Sequence, residues 1–257
     1  MTKNTEDLAV ITGGLTGIGL ECAKALKKMG NKIVIGSRRC NGPEVELAKK
    51  ILGDKCYFIH LNVGDEKSIK EFISKVKETI GDPVILVNAA GIYKEAQIKD
   101  DNTEHWHDQL DVNLTGPFLM TKELMPGMIR KKFGRIVNIA STAGKVGAAG
   151  YAGYCASKAG LIGLSKVTAL EGAPYNISCI SVSPTWVETP MMDSAALRHS
   201  KENDTSQYKA KEDLKKTNPQ NRLVQPSEIA ALVAFACGKN CPALTNEDIQ
   251  INAGALW

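Results

Sequence analysis

Seven short apolar runs punctuate the 257 residues, and between them lie longer stretches of helical periodicity. Runs such as Ile85–Ala89, ILVNA, are apolar at consecutive positions. A strand carries that pattern when its sheet is covered on both faces. Regular alternation of such runs with helices predicts an α/β fold, a doubly wound parallel sheet of about seven strands with helices on both faces. The expected strands are Leu8–Thr12, Lys32–Gly36, Cys56–Leu61, Val84–Asn88, Arg135–Ile139, Ile177–Ser183 and Asp248–Asn252. The expected helices are Gly17–Met29, Pro43–Leu52, Glu66–Ile80, one amphipathic stretch from Thr103 to Lys132, Gly153–Ala173 and Pro226–Cys237. No repeat or linker divides the chain, so residues 1–257 read as one domain.

Charge and cysteine usage exclude several roles. The 32 basic and 28 acidic residues are interspersed, and the one basic cluster, Arg130, Lys131 and Lys132, falls where a helix should end. Cations there complement the helix dipole, so no nucleic-acid partner is indicated. No apolar run reaches membrane-spanning length, and the N-terminus, MTKNTEDLAVITGG, lacks signal- or transit-peptide character. Seven cysteines, an odd number without paired short spacings, suit reduced thiols in a cytoplasmic protein, and Cys237 with Cys241 is too little for a metal site.

Two stretches carry chemistry. VITGGLTGIGLECAKAL follows the first strand and opens the first helix. Gly13, Gly17 and Gly19 permit a tight turn in which a pyrophosphate approaches backbone N–H groups at the helix N-terminus, the arrangement of a Rossmann fold. The second strand ends in IVIGSRRC, without the carboxylate that would bind the ribose hydroxyls of NAD(H). Ser37, Arg38 and Arg39 stand there instead, and a guanidinium clamps the 2′-phosphate of NADP(H) with charge-assisted bonds. Further on, YCASK places Tyr154 four residues before Lys158, on one helix face. An ammonium beside a phenol favours the phenolate and should lower its pKa toward the range useful for proton transfer.

With these residues in view, the sequence resembles the short-chain dehydrogenase/reductase family over essentially its whole length, and bacterial polyketide ketoreductases and 3-oxoacyl-carrier-protein reductases within it. Thr12-Gly13-Gly14-Leu15-Thr16-Gly17-Ile18-Gly19 fits the family's TGxxxGIG turn, and Asn88-Ala89-Ala90-Gly91 looks like its NNAG strand end. Asn113 in DVNLTG, Ser141 in NIASTAG, Tyr154 and Lys158 match the family's catalytic tetrad, with thirteen residues from serine to tyrosine. The resemblance implies that Tyr154 exchanges the proton and that Lys158 tunes it and bonds the nicotinamide ribose. It implies that Ser141 bonds the substrate oxygen and Asn113 holds a relay water. It also implies cofactor contacts from Leu15, Thr16, Ile18, Asn62, Val63, Asn88, Ala89, Gly91, Pro184, Thr185, Val187 and Thr189.

The activity implied is hydride transfer between NADP(H), with NAD(H) second, and a ketone or secondary alcohol. The substrate would be bulky, cyclic or an acyl thioester, or a hydroxysteroid. A non-catalytic NADP(H)-binding regulator is the reading from another class. Two positions depart from the family: Thr185 replaces the usual glycine after Pro184 and could crowd the nicotinamide, and INAGALW replaces the usual VDGG. The polar insertion at about 190–217 is either a substrate lid or a solvated excursion, and Met191, Met192, Ala195, Ala196 and Leu197 could wall the pocket. The small residues in AGKVGAAGYAG either leave room for a large ketone or only shape the turn. A carrier protein could dock on Arg130–Lys132, and the family habit of pairing long helices implies a homodimer or homotetramer.

Overall fold

A computed structural model describes residues 6–255. Seven strands pair in parallel in the order β3-β2-β1-β4-β5-β6-β7. They are β1 (Leu8–Thr12), β2 (Lys32–Ser37), β3 (Cys56–His60), β4 (Ile85–Asn88), β5 (Gly134–Ile139), β6 (Ile177–Pro184) and β7 (Asp248–Ile251). The helices are α1 (Gly17–Lys28), α2 (Pro43–Leu52), α3 (Glu66–Thr79), α4 (Thr103–Leu110), α5 (Gly116–Lys131), α6 (Ala152–Gly172), α7 (Pro190–Glu202), α8 (Gln207–Lys216) and α9 (Pro226–Cys237). Each expected strand and helix is present within about two residues, with one exception.

The exception is the stretch from Thr103 to Lys132. A π turn over Asp111–Thr115 separates α4 from α5. The cause is local. Gly116 passes so close to the loop after β3 that a Cβ there would stand 2.4 Å from the Val63 carbonyl oxygen. The extra residue of a π turn lets the chain make that approach and turns Asn113 inward, where it is fully buried.

Neighbouring strand residues serve opposite faces, as a period of two requires. Ile11, Ile35 and Val87 pack with Leu26 of α1 and Val233 of α9. Val10, Val34 and Leu86 pack with Phe72 of α3 and Leu124 of α5. Both faces are therefore dry, which explains the uninterrupted apolar runs. Among the described residues no helix is long and apolar enough to cross a membrane.

The strand order reverses direction between β1 and β4, so the loops after these two strands part and leave a crevice at the C-terminal edge of the sheet. The polar insertion folds as α7 and α8, joined by a short turn, over the end of β6 nearest that crevice.

Candidate active site

The crevice is a cleft of about 780 Å³ lined by Gly13, Leu15, Thr16, Gly17, Ile18 and Gly19. Ser37, Arg38, Arg39, Asn62, Val63, Ala89, Gly91 and Thr189 also line it. Gly13 has φ +68°, and a Cβ there would lie 2.8 Å from Ala90 Cα, so the turn closes only with glycine. The first turn of α1 holds no acidic residue, and no side chain caps it, leaving its positive end open to an anion. Thr12 braces the opposite wall: its Oγ1 accepts from the backbone N–H of Ala89 and of Ala90, each at 3.1 Å.

At the β2 end the two arginines differ. Arg39 is ion-paired with Glu44, which also lines the cleft. Arg38 is exposed and makes no ion pair among the described residues. Asn62 Oδ1 accepts from Gly64 N–H at 3.2 Å, which leaves its amide N–H₂ free to donate. Asn88 ends β4. Its side chain is buried and donates to Asn138 Oδ1 at 2.8 Å, supporting the sheet beside the cleft. Asn138 in turn donates to Ser165 Oγ of α6 at 2.8 Å.

The cleft opens at Ala89, Gly91 and Ile18 into a second cavity of about 130 Å³. Ser141, Tyr154 and Lys158 line it together. Ser141 lies two residues beyond β5 and caps the following 3₁₀ turn, accepting from Ala143 N–H at 3.1 Å. Lys158 is buried, and its Nζ donates to the Ile139 carbonyl at 2.7 Å while lying 5.7 Å from the Tyr154 ring centroid. Asn113 stands behind Gly91. A Cβ on that glycine would lie 3.3 Å from Asn113 Oδ1 and 3.6 Å from Lys158 Nζ. Both N–H donors of the Asn113 amide are engaged. Its Oδ1 accepts from Ile92 N–H at 2.9 Å, and its Nδ2 donates to the Ile92 carbonyl at 2.9 Å and to Ser157 Oγ at 3.1 Å. That leaves a relay water the second lone pair of Oδ1 or the Asn113 backbone.

The electrostatics correct one expectation. Burial pushes the Tyr154 phenol up to about 12, and the Ser141 hydroxyl only partly opposes this. Burial likewise depresses the Lys158 ammonium from 10.5 to about 8. The shared helix face exists, but the lysine lies over the ring and does not contact the hydroxyl, and desolvation outweighs it. In this structure Tyr154 holds its proton through the neutral range.

Thr185 does not point its hydroxyl at the cleft. Its Oγ1 donates to Asn218 Oδ1 at 2.9 Å, and both residues are buried. Asn218 Nδ2 donates to the Arg222 carbonyl at 2.7 Å, so Thr185 ties the end of β6 to the segment returning from α8. Pro184, Thr185 and Val187 line the smaller cavity, as do Met191 and Met192. Ala195 and Ala196 are buried without lining it, and Leu197 is exposed. Arg130, Lys131 and Lys132 close α5 just before β5, at the sheet edge opposite the cavity, and Lys131 donates to the Asp82 carbonyl. Tyr93, Tyr151 and Trp186, which the sequence did not single out, also line the cavity.

The family description "short chain dehydrogenase" matches residues 7–199. The chain belongs to the short-chain dehydrogenase family. It is 33% identical over 251 residues to a D-beta-hydroxybutyrate dehydrogenase of Cupriavidus necator, covering 97% of this chain and 94% of that protein. It is 33% identical over 250 residues to the 3-oxoacyl-(acyl-carrier-protein) reductase FabG of Aquifex aeolicus, covering 96% of each. A crystal structure of a Phe-to-Trp variant of actinorhodin polyketide ketoreductase with NADPH superposes with a TM-score of 0.93 at 34% identity, over 100% of this chain and 99% of that one. These relatives make this short-chain dehydrogenase an oxidoreductase of the ketoreductase group, in a family that binds a nicotinamide cofactor. The open helix terminus, the glycine turn and the free arginine fit such a dinucleotide.

Proposed function

We propose that this short-chain dehydrogenase is an NADP(H)-dependent carbonyl reductase acting on a bulky, cyclic or acyl-thioester ketone. The observation that carries this reading is the junction of two spaces. A cavity bearing Ser141, Tyr154 and Lys158 opens into a cleft whose far end presents the unpaired Arg38. A bound nicotinamide supplies the hydride. This chain's residues hold the ketone and manage the proton. Negative charge grows on the carbonyl oxygen as its carbon is reduced, and the Ser141 and Tyr154 hydroxyls donate to it. The Tyr154 proton then passes to that oxygen, and the Lys158 ammonium, 5.7 Å from the ring centroid, stabilises the phenolate left behind. A phenol that titrates at about 12 is protonated at neutral pH, which favours its use as an acid. Asn113 acts as a positioning residue, pinning Ile92 beside the cleft.

Arg38 carries the preference for NADP(H), since Arg39 is already paired with Glu44. A carrier-borne thioester stays within the substrate class, on the strength of relatives named for that reaction. Exposed Phe118, Val167 and Leu170 on α5 and α6 support association of copies through those helices. The test is NADPH and NADH oxidation by purified protein with cyclic ketones and oxoacyl thioesters, repeated with Tyr154→Phe. We expect turnover with NADPH and a loss of at least about a hundredfold in the variant with cofactor binding retained. Turnover by Tyr154→Phe close to that of the wild type would refute the assignment.

A further inference from the structure

Three phenols crowd the substrate side of the cavity. Tyr93 follows β4, Tyr151 precedes α6, and both line the cavity with Tyr154. The Tyr93 and Tyr151 rings stack at 5.1 Å, and Tyr93 meets Tyr154 edge-on at 5.7 Å. The Tyr93 oxygen lies 2.5 Å from Glu95 Oε2 and 2.9 Å from the Tyr151 oxygen.

Counting protons fixes what this cluster offers a ligand. A phenol has one proton to donate, and a carboxylate only accepts. The Tyr93 proton is committed to Glu95, the shorter and charge-assisted bond. Burial and the Glu95 bond both push the Tyr93 pKa up, as expected for a proton held there. The contact between the two phenol oxygens must then be made with the proton of Tyr151. Tyr151 has no proton left for the cavity and presents only lone pairs. From the insertion, the Arg198 guanidinium packs 4.4 Å from the Tyr93 ring centroid and holds that ring in place. Ala143, Ala148 and Met191 add apolar wall.

We propose that Tyr151 is a second recognition point, a hydrogen-bond acceptor that selects a neutral ketone carrying a hydroxyl or amide N–H away from the reacting carbonyl. The inference rests on the reductase reading above and narrows its substrate class. A carboxylate or a second carbonyl at this place would set lone pairs against lone pairs. Short 3-oxo acids and diketones are therefore poor substrates, and hydroxyketones or amide-bearing acyl thioesters good ones.

Two ketones of similar size separate the possibilities: 4-hydroxycyclohexanone, which can donate, and 1,4-cyclohexanedione, which only accepts. The quantity read is the ratio of their kcat/KM values with NADPH. Tyr151→Phe should lower the ratio about tenfold, the size of one net hydrogen bond. Tyr93→Phe is the distinctive variant. It releases the Tyr151 proton into the cavity, so the dione's own kcat/KM should rise, a gain that mere structural damage would not give. An unchanged ratio in both variants, or equal loss of both ketones in Tyr93→Phe, would overturn the proposal. Titration calorimetry with phenol and anisole reads the same point without turnover. Tyr151→Phe should weaken phenol about tenfold and leave anisole unchanged. Equal effects on the two would also overturn it. If no ketone is turned over, the reductase reading fails, and the calorimetry alone decides the recognition point.

Discussion

Replacing Lys158 with methionine should make the protein more stable while removing its activity. The ammonium is buried, and among the described residues its one hydrogen bond goes to the Ile139 carbonyl. Burial depresses its pKa from 10.5 to about 8. Between those values the unfolded chain holds the proton more tightly than the folded one, so stability rises with pH across that window. Below about pH 8 the penalty is fully present, and above about pH 10.5 it is gone. A shift of this size corresponds to about 3 kcal/mol near pH 7, at roughly 1.4 kcal/mol per pKa unit, and to under about 1 kcal/mol near pH 10. Methionine has similar length and no charge, but it leaves the Ile139 carbonyl without its donor, at a cost of about 1 kcal/mol. The net gain should be about 2 kcal/mol near pH 7 and close to nothing near pH 10. The assay is urea unfolding of both proteins without cofactor at the two pH values. A variant less stable than wild type near pH 7, or a gain equal at both pH values, would refute the burial argument.

Cofactor choice should turn on one side chain: Arg38→Ala should weaken NADPH by about ten- to a hundredfold and leave NADH nearly unchanged at constant ionic strength. Equal losses by calorimetry would mean that the arginine shapes the loop. Thr185→Val should destabilise the fold by about 1–3 kcal/mol, because the buried Asn218 oxygen loses its donor, while Thr185→Ser should restore most of it in chemical denaturation. Failure of serine to rescue would assign the effect to packing. At Gly19 an added Cβ would stand 2.4 Å from the Gly13 carbonyl oxygen. Gly19→Ala should therefore cost at least about tenfold in dinucleotide affinity with an unchanged circular dichroism spectrum, and wild-type affinity would contradict the close approach.

The sheet and its crevice were legible because their signals are local. Apolar runs mark strands, and the glycines after β1 mark a turn that no other residue fits. Tyr154 and Lys158 were legible as neighbours because helix geometry sets their spacing. The direction of the Tyr154 shift was not, since it depends on how much protein encloses the pair, a property of the assembled core. The kink at Asn113 was hidden for the same reason. It answers to the Val63 carbonyl, about fifty residues earlier in the chain. The bond from Thr185 to Asn218 was hidden too, since no local pattern connects the two residues. Tyr93, Glu95 and Tyr151 come from two separate loops, and nothing near any of them announces the bond.

The buried chain from Asn88 through Asn138 to Ser165 sets an angle as well as a distance. Ser165 lies seven residues beyond Lys158, and two turns of α-helix bring the chain round to within about 20° of its starting azimuth. Ser165 and Lys158 therefore share one stripe of α6, and an amide projecting from β5 holds that stripe against the sheet. An apolar core would let the helix roll by small amounts at little cost, since dispersion contacts have no direction. A hydrogen bond does not tolerate such rolling, because it weakens steeply once it bends. The azimuth of the helix that carries Tyr154 and Lys158 is thus indexed to the strand that delivers Ser141, and the three side chains share one frame of reference.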